Sequence, residues 1–492
     1  MSMGEKVYLA VDMGASSGRH VLGFLEGGKL RLEEVYRFEN GVTDLGGTLY
    51  WDLPFLWKNV CSGIRRAVEV SQNIQSVGVD TWGVDFGMLD ANGRLLSNPV
   101  AYRDSRTNGY PDAAFATVSR DEIFASTGLQ FMQFNTLYQL AAMKKANDPL
   151  LEVGHRFLQI PDLFHWLLSG VEANEFTNAT TTQFFNPTTG DWAYDLLEKF
   201  GIPTRFLGKI TPPGTNLGRL RPSLARELGG DMNVVLPGTH DTASAVLAVP
   251  ALGGERNWAY VSLGTWALMG IESSSPNVSR RMSELNFTNE GGVGNTYRLL
   301  KNITGMWILQ ECRKYWNARG ANWSWDALTK ITDASPALVR FINPEAAEFF
   351  APENMVEAIC AFCRRTGQSV PQTEGEILRC ATDSIALRFR QVFEMCEEIN
   401  GGRIETLHIV GGGTKNRQLC QAAANATGRT VVTGPVEATA IGNILMQAIA
   451  DGAVADIAQA RKIVRDSFPM ETFSPSDTQA WEEAYVRYCQ WA

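Results

Sequence analysis

The sequence predicts an α/β protein built from two domains, and three observations lead to this prediction. A chain of 492 residues exceeds what one ordinary hydrophobic core accommodates. Short apolar runs of strand type alternate with segments whose apolar residues follow helical spacing. Each half also contains a strand, a turn of small residues and a return strand. We therefore expect a first domain over residues 1–248 and a second over residues 249–492.

The first half begins with strand and turn signals, followed by a helix. Its predicted elements are, in order, a strand over 7–11, a glycine- and serine-rich turn over 12–18, return strands over 19–25 and 30–38, a helix from 53 to 68, a short strand over 77–79 and a hairpin turn at 92–93. Asp52 is a suitable N-cap for the helix, in which apolar residues recur with helical spacing.

The second half repeats part of this order. Its predicted elements are a strand over 258–262, a turn over 263–265, a return strand over 266–270, a buried strand over 407–410, three glycines at 411–413, a helix over 415–426, a strand at 431–432 and a helix over 437–451. The repeat is one of shape rather than of sequence identity. Two such domains facing each other would enclose a cleft.

The composition and net charge of the chain exclude some classes of binding partner. Acidic residues outnumber basic ones by 53 to 44, which gives a formal net charge of -9. A global excess of negative charge argues against nucleic acid or an anionic membrane as partner, yet an anionic small molecule can still bind at a locally positive site. The first residues lack the features of a signal peptide, and no run reaches the ~20 apolar residues of a membrane span. We expect a cytoplasmic protein.

The eight cysteines do not indicate a disulfide framework in a chain of this length. Cys360 and Cys363 form a lone C-x-x-C without the second pair that a structural zinc site requires. Cys363 and Cys380 could face each other across neighbouring helices, although a reducing compartment keeps such cysteines mostly as thiols.

Three turns of small residues could bind a nucleotide. Residues 12–19, Asp-Met-Gly-Ala-Ser-Ser-Gly-Arg, would expose backbone N–H groups and two hydroxyls to phosphate oxygens, and Asp12 could hold Mg²⁺ through waters. The turn is neither a Walker loop nor a dinucleotide fingerprint, so an ordinary tight hairpin is the alternative. The turn at 263–265 could bind the phosphates of the same nucleotide from the other side. The glycines at 411–413 either leave a flat surface for a ligand ring or begin a helix with unusual dihedral angles.

A carboxylate opens a run of small residues in Gly-Thr-His-Asp-Thr, residues 238–242. From its position, Asp241 is either the N-cap of a helix or a catalytic base, and the two roles are compatible. His240 beside it suggests a Ser-His-Asp hydrolase, but residues adjacent in the chain seldom point at each other and no G-x-S-x-G motif is present. A hydrogen bond from His240 to a sugar and a purely structural role remain open.

Together with these turns, four further stretches give the sequence its resemblance to a known family. They are residues 79–86 (Val-Asp-Thr-Trp-Gly-Val-Asp-Phe), 101–107 (Ala-Tyr-Arg-Asp-Ser-Arg-Thr), 134–140 (Phe-Asn-Thr-Leu-Tyr-Gln-Leu) and 297–303 (Tyr-Arg-Leu-Leu-Lys-Asn-Ile). The chain resembles the FGGY carbohydrate kinases from about residue 7 to about residue 447. Residues 135–140 depart from the proline and lysine common in the broad family and fit its L-rhamnulose-specific branch.

The resemblance implies two actin-like ATPase (ribonuclease-H-like) α/β domains with the active cleft between them. It also implies transfer of the γ-phosphate of ATP to the 1-hydroxyl of L-rhamnulose in rhamnose catabolism, with Mg²⁺. Carried over residue by residue, Asp241 would be the catalytic base and Asp12 would lie near the metal. The implied ATP contacts are Ala15, Ser16, Ser17, Gly18, Arg19, Thr265, Gln310 and Gly412. The implied sugar contacts are Gly83, His240, Asp241, Thr242 and Asn302.

Two alternatives stay open from the sequence. One is another ketose kinase of the family, acting on fuculose, xylulose or ribulose. The other is a non-sugar actin-like ATPase that acts on protein partners and needs no base at Asp241. Trp82, Phe131 and Phe134 would favour L-rhamnulose, a deoxysugar, over ketoses that carry a hydroxymethyl group, if they form an apolar wall for its methyl group. Core packing is the alternative role for all three residues. The expected state is a monomer or a homodimer with small-molecule substrates only.

Overall fold

A computed structural model describes residues 5–251, 257–350 and 352–491 of the chain. Within it the chain forms two compact units. The first unit contains Met1–Ala248, Glu272–Leu299 and Ala438–Ser467. The second contains Val249–Ile271, Leu300–Glu437 and Phe468–Ala492. The chain therefore returns to the first unit twice after leaving it.

The described residues form the following elements. The strands are β1 (Lys6–Met13), β2 (Ser17–Glu26), β3 (Lys29–Glu39), β4 (Val42–Leu45), β5 (Thr48–Trp51), β6 (Ile74–Thr81), β7 (Phe86–Leu89), β8 (Arg156–Gln159), β9 (Asn174–Glu175), β10 (Phe185–Asn186), β11 (Asp191–Trp192), β12 (Ile210–Thr211), β13 (Asn216–Arg219), β14 (Asn233–Val235), β15 (Trp258–Leu263), β16 (Trp266–Ser273), β17 (Thr288–Gly291), β18 (Tyr297–Thr304), β19 (Thr406–Val410), β20 (Thr430–Thr433) and β21 (Thr472–Phe473). The helices are α1 (Leu53–Val70), α2 (Tyr110–Thr117), α3 (Arg120–Thr127), α4 (Thr136–Lys145), α5 (Leu150–Val153), α6 (Ile160–Ser169), α7 (Phe176–Ala179), α8 (Tyr194–Lys199), α9 (Pro222–Leu228), α10 (Asp241–Leu247), α11 (Arg280–Leu285), α12 (Trp307–Asn317), α13 (Trp325–Asp333), α14 (Met355–Arg365), α15 (Glu374–Asn400), α16 (Arg417–Thr427), α17 (Ala438–Ala450), α18 (Ile457–Ser467) and α19 (Thr478–Tyr488).

The main sheet of the first unit has the strand order β3-β2-β1-β6-β14-β13. β1, β2 and β3 form an antiparallel meander, whereas β6 runs parallel to β1 and β14 runs parallel to β6. Every residue of β1 from Val7 to Met13 is buried, as expected for a strand covered on both faces. The carboxyl ends of β1 and β6 therefore meet at one edge of the sheet.

The sheet of the second unit repeats this pattern. β18, β16, β15, β19 and β20 follow one another, with β21 at the edge. β15 and β16 are antiparallel, and β19 and β20 run parallel to β15. A hairpin beside parallel strands is thus common to both units. The sequence predicted the strand, turn and return strand of each hairpin.

Several local predictions differ from the structure in extent rather than in type. Asp52 caps α1 as predicted, with its side chain accepting a hydrogen bond from the N–H of Phe55. The predicted turn over 12–18 is shorter, because β1 continues to Met13 and β2 begins at Ser17. The ladder pairs Asp12 with Arg19 and so draws both residues into the strands. Among the described residues, none of the helices combines the length and apolar composition needed to span a bilayer.

A close helix crossing fixes α10, on which Asp241 lies, against α17 of the same unit. A Cβ atom at Gly442 of α17 would lie 1.8 Å from the carbonyl oxygen of Ser244. The obstructing atom belongs to backbone, which does not move aside as a flexible side chain does. Glycine at 442 is therefore what lets the two helices approach.

We predict that Gly442→Ala lowers the free energy of unfolding by about 1–3 kcal/mol, because the added methyl group overpacks the crossing. This cost acts against the gain of about 1 kcal/mol that alanine brings within a helix. Urea unfolding followed by tryptophan fluorescence would measure it. Gly402→Ala is the matched control, since its Cβ would meet nothing within 4 Å. Equal midpoints for the two variants would contradict the prediction.

Candidate active site

The turn between β1 and β2 is held in a fixed shape by backbone hydrogen bonds. The N–H of Gly14 donates to the carbonyl of Ser17 at 2.9 Å, and Asn40 contacts both the carbonyl of Ser16 and that of Gly14. A Cβ at Gly18 would lie 2.2 Å from the ring of Phe38, so only glycine fits there. The predicted phosphate-binding residues Ala15, Ser16, Ser17 and Gly18 therefore lie together on an ordered bend, with Ser16 exposed.

An ion pair joins the two ends of this hairpin. Arg19 donates to Oδ2 of Asp12 from Nε at 2.9 Å and from Nη2 at 2.7 Å. Both side chains are largely buried, with exposures of 19% and 11%. The guanidinium thus supplies positive charge beside the carboxylate that was predicted to lie near the metal.

A second carboxylate, which the sequence analysis did not select, lies next to Asp12. Asp80 at the end of β6 is the register partner of Asp12 across the parallel ladder. Oδ2 of Asp80 accepts a hydrogen bond of 2.5 Å from Asn443, and Oδ1 is buried without a hydrogen-bond partner in the described part of the chain. Burial raises the pKa of Asp80 well above its usual value, and the charges of Asp12 and Asp241 raise it further.

Asp241 is the first residue of α10, and His240 rather than Asp241 occupies the N-cap position. The prediction of an N-cap aspartate from position alone is therefore wrong. Oδ1 of Asp241 accepts a hydrogen bond of 3.0 Å from the hydroxyl of Thr242, and Nε2 of His240 lies 3.5 Å from the same oxygen. The side chain keeps 34% exposure, yet the surrounding protein displaces enough water to raise its pKa. The nearby charge of Asp12 acts in the same direction.

These residues fit a hydrated hard cation better than a closed metal site. No group of three or more acidic, histidine or cysteine side chains suitable for direct metal binding occurs among the described residues. Mg²⁺ is typically held by one or two carboxylates while it keeps several waters and contacts substrate phosphates. The oxygens of Asp12 and the orphaned Oδ1 of Asp80 are suitable donors for that mode of binding.

A buried glutamate holds the segment that leads into Asp241. Oε2 of Glu175 accepts hydrogen bonds from the N–H and the hydroxyl of Thr239, at 3.2 and 2.6 Å, and from the hydroxyl of Thr177 at 2.6 Å. The oxygen of Thr177 in turn accepts from the N–H of His240 at 3.1 Å. The N–H of Thr81 in β6 donates to the carbonyl of Thr239. The backbone before Asp241 is therefore fixed from both sides.

Gly83 lies at a crowded point just after β6. A Cβ there would approach Oγ1 of Thr181 to 2.8 Å. The next residue, Val84, has φ of 68°, a strained value for a β-branched residue. Its N–H donates to Thr181 at 3.1 Å and its carbonyl accepts from Thr136 at 2.6 Å, and these bonds hold the strained peptide in place.

The three aromatic residues proposed as a methyl-binding wall occupy different surroundings. Trp82 is buried, and its indole N–H donates to Oδ2 of Asp85 at 3.0 Å. Phe134 contacts Tyr102, whose N–H donates to the same carboxylate. Phe131 instead packs against a hydrophobic cluster that includes Ile123, Leu137 and Tyr138. The methyl-wall hypothesis stays a prediction. Trp82 and Phe134 are linked through Asp85 and Tyr102, whereas Phe131 has different neighbours.

In the second unit, the predicted nucleotide contacts cluster around one turn. The hydroxyl of Thr265 donates to Oε1 of Gln310 at 3.2 Å. The glycine turn packs on Leu263, since a Cβ at Gly413 would lie 2.2 Å from its side chain. A Cβ at Gly412 would meet nothing within 4 Å, so the backbone there presents an open surface. Thr265 and Gln310 are therefore in direct contact, and the open backbone at Gly412 belongs to a glycine turn that packs on Leu263, two residues before Thr265.

Two other predicted features also lie in the second unit. Asn302 is on β18. Cys363 on α14 and Cys380 on α15 are both buried and free, and each thiol shifts the pKa of the other.

Comparison with known proteins identifies the family. Residues 7–248 match the N-terminal domain of the FGGY family of carbohydrate kinases, and residues 259–450 match its C-terminal domain. A rhamnulokinase of Bacteroides thetaiotaomicron is 43% identical over 483 residues, covering 98% of each chain. A rhamnulokinase of Oceanobacillus iheyensis is 42% identical over 470 residues, covering 96% of this chain and 98% of its own.

Solved structures of low sequence identity share the fold. A xylulose kinase from Lactobacillus acidophilus superposes with a TM-score of 0.82 at 16% identity, covering 99% of this chain and 97% of its own. A glycerol kinase from Plasmodium falciparum gives 0.77 at 14% identity, covering 99% and 98%. The predicted actin-like α/β fold of each unit is thereby confirmed. The chain belongs to the FGGY family of carbohydrate kinases.

Proposed function

We propose that this chain transfers the γ-phosphate of ATP to the 1-hydroxyl of L-rhamnulose and releases L-rhamnulose 1-phosphate and ADP. The identity to two rhamnulokinases over nearly the whole chain carries the proposal. The acidic site at the carboxyl ends of β1 and β6 supports it, because a sugar hydroxyl needs a proton acceptor before it can attack phosphorus.

Asp241 is the base in this proposal. Oδ1 of its carboxylate accepts from the hydroxyl of Thr242 and lies 3.5 Å from Nε2 of His240, and we propose that Oδ2 faces the acceptor hydroxyl. The raised pKa of Asp241 makes its carboxylate a better proton acceptor than an exposed aspartate. Gly83, His240, Thr242 and Asn302 are proposed to contact the sugar.

Asp12 and Asp80 are proposed to hold Mg²⁺ together with the phosphates of ATP. When bound, the cation would neutralise phosphate charge during the transfer. Arg19 orients Asp12 through two hydrogen bonds, and Asn443 orients Asp80. The bend from Ala15 to Gly18 would supply backbone N–H groups to the phosphates.

We further propose a division of labour between residues 1–248 and 249–492. The first part would supply most of the sugar contacts and carry the base. The second would bind adenosine at Thr265, Gln310 and Gly412, where the backbone is open. A purine ring needs such a flat surface, and the fixed turn at Thr265 would set its position.

Replacing the base is the central test. Asp241→Asn should lower kcat for L-rhamnulose by about 10²–10⁴-fold, because the amide accepts no proton. Coupled detection of ADP would measure the rate, and calorimetry would show that ATP still binds. Asp112→Asn, an exposed aspartate in the first turn of α2, is the matched control. Phosphorylation by the Asp241 variant at nearly the original rate would refute the role of the base.

A panel of sugars tests the substrate. We predict the highest kcat/KM for L-rhamnulose among L-rhamnulose, L-fuculose, D-xylulose and L-ribulose, by about tenfold or more, since one missing or misplaced group in a fitted pocket costs ~1–3 kcal/mol. ADP release without sugar should be slow. A preference for another ketose would make the chain a kinase for that sugar within the same family. ATP hydrolysis at a rate that no sugar changes would favour an ATPase that acts on protein partners.

The proximity of Asp12, Asp80 and Asp241 predicts that Asp80→Asn stabilises the chain in a pH-dependent way. Ionisation of Asp80 opposes folding, because burial and two like charges raise its pKa in the folded state. This penalty is absent below the ordinary value of 3.8 and grows as pH rises above it. The variant should therefore gain stability relative to the native chain from pH 5 to pH 8. Thermal unfolding in metal-free buffer would measure the difference, and a constant difference or a growing loss would contradict it.

A further inference from the structure

Three side chains behind Asp241 form a closed triangle of polar atoms within the first unit. Nη2 of Arg298 lies 3.1 Å from Nδ1 of His240 and 3.2 Å from Oε2 of Glu290. Nδ1 of His240 lies 3.3 Å from the same oxygen of Glu290. All three side chains are buried, with exposures of 0% for Arg298, 7% for Glu290 and 10% for His240. These contacts involve Nδ1, whereas the opposite ring nitrogen of His240 faces Asp241.

The guanidinium decides where the proton of the imidazole sits. Arginine carries five N–H donors and no acceptor, so a nitrogen that it contacts must offer a lone pair. Nη2 is hydrogen-bonded to Nδ1 at 3.1 Å, and Oε2 of Glu290 lies within ion-pair distance of the same nitrogen at 3.2 Å. If Nδ1 carried the proton instead, it could donate to Glu290, but an N–H of Arg298 would then point at another N–H.

Arg298 has little freedom to avoid this conflict. Its Nε donates to the carbonyl of Gly291 at 2.9 Å, which anchors the guanidinium plane to β17. A buried arginine is costly to desolvate unless its partners are well placed. Glu290 supplies the compensating charge and so keeps Arg298 against the imidazole.

We propose that Arg298, held by Glu290 and Gly291, fixes His240 as the tautomer that carries its proton on Nε2. Arg298 is thus a positioning residue that acts through His240. The Nε2–H group points to the side of Asp241 and offers a hydrogen-bond donor to an oxygen of the acceptor sugar. Only this last step rests on the proposed function, since the tautomer is a property of the chain alone.

Two other buried histidines provide internal standards for the measurement. Nε2 of His20 contacts the carbonyl oxygen of Val60 at 3.1 Å, which requires a proton on Nε2. Nε2 of His165 accepts from the N–H of Val79 at 3.0 Å, which places the proton on Nδ1. Burial lowers the pKa of both, to about 4 and about 3, so both are neutral at working pH. One spectrum therefore contains an example of each tautomer.

The test is a two-bond ¹H–¹⁵N correlation spectrum of the full chain labelled with ¹⁵N-histidine, at about pH 8.5, two units above an ordinary imidazole pKa. His240→Gln assigns the signal of His240 by its loss. The native chain should show the pattern of His20. Arg298→Gln, whose amide can accept as well as donate, should shift His240 toward the pattern of His165. Arg298→Lys, which again only donates, should restore the native pattern.

Kinetics supply a second readout. Arg298→Gln should lower kcat for L-rhamnulose about tenfold, the equivalent of one hydrogen bond, while the KM for ATP stays unchanged, and Arg298→Lys should recover part of the loss. The His165 pattern for His240 in the native chain, or an unchanged pattern in Arg298→Gln, would overturn the proposal. The native spectrum decides this even if a variant fails to fold, and it does so whether or not L-rhamnulose is the substrate.

Discussion

Like charges held close together in a poorly hydrated place are the constraint on which the first unit depends. The parallel register of β1 and β6 places Asp12 beside Asp80, and the segment leading into α10 adds Asp241. Such a cluster opposes folding unless each carboxylate has a partner. Arg19 serves Asp12, Asn443 of α17 serves Asp80, and Thr242 serves Asp241. The return of the chain to the first unit as α17 is thus needed to complete the site as well as the sheet packing.

The backbone around the cluster is fixed by a second layer of buried polar groups. Glu175 and Thr177 hold Thr239 and His240, and Arg298 holds the imidazole of His240 from behind. Networks in which every polar group is hydrogen-bonded are rigid. Breaking one bond would leave a buried polar atom with neither a protein partner nor water to replace it. A catalytic base must be held within a fraction of an ångström of its reactive position, and this layer would provide that restraint for Asp241 in its proposed role.

The sequence singled out candidate residues that lie in short local motifs and missed those that depend on distant pairing. Asp241 and the bend from Ala15 to Gly18 stood out as local motifs, but their proposed roles come from the resemblance to the family. Asp80 closes a predicted strand, but its importance comes from register with β1, which no local pattern reveals. Glu175 and Arg298 act on His240 from 65 and 58 positions away, counted as 240 − 175 and 298 − 240. The N-cap assignment of Asp241 failed because helix ends are uncertain by one or two residues when judged from sequence.

The two units share one strand order but present different groups where their parallel strands end. In the first, the ladder that pairs β1 with β6 brings two carboxylates side by side. In the second, the corresponding ladder of β15 with β19 pairs Ser262 with Val410, just before a turn and a run of glycines. The same sheet edge therefore carries concentrated charge in one unit and bare backbone in the other. Carboxylates suit the handling of protons and metal ions, whereas bare backbone suits an aromatic ring, so this asymmetry supports the proposal that the base and the metal-binding carboxylates belong to the first unit.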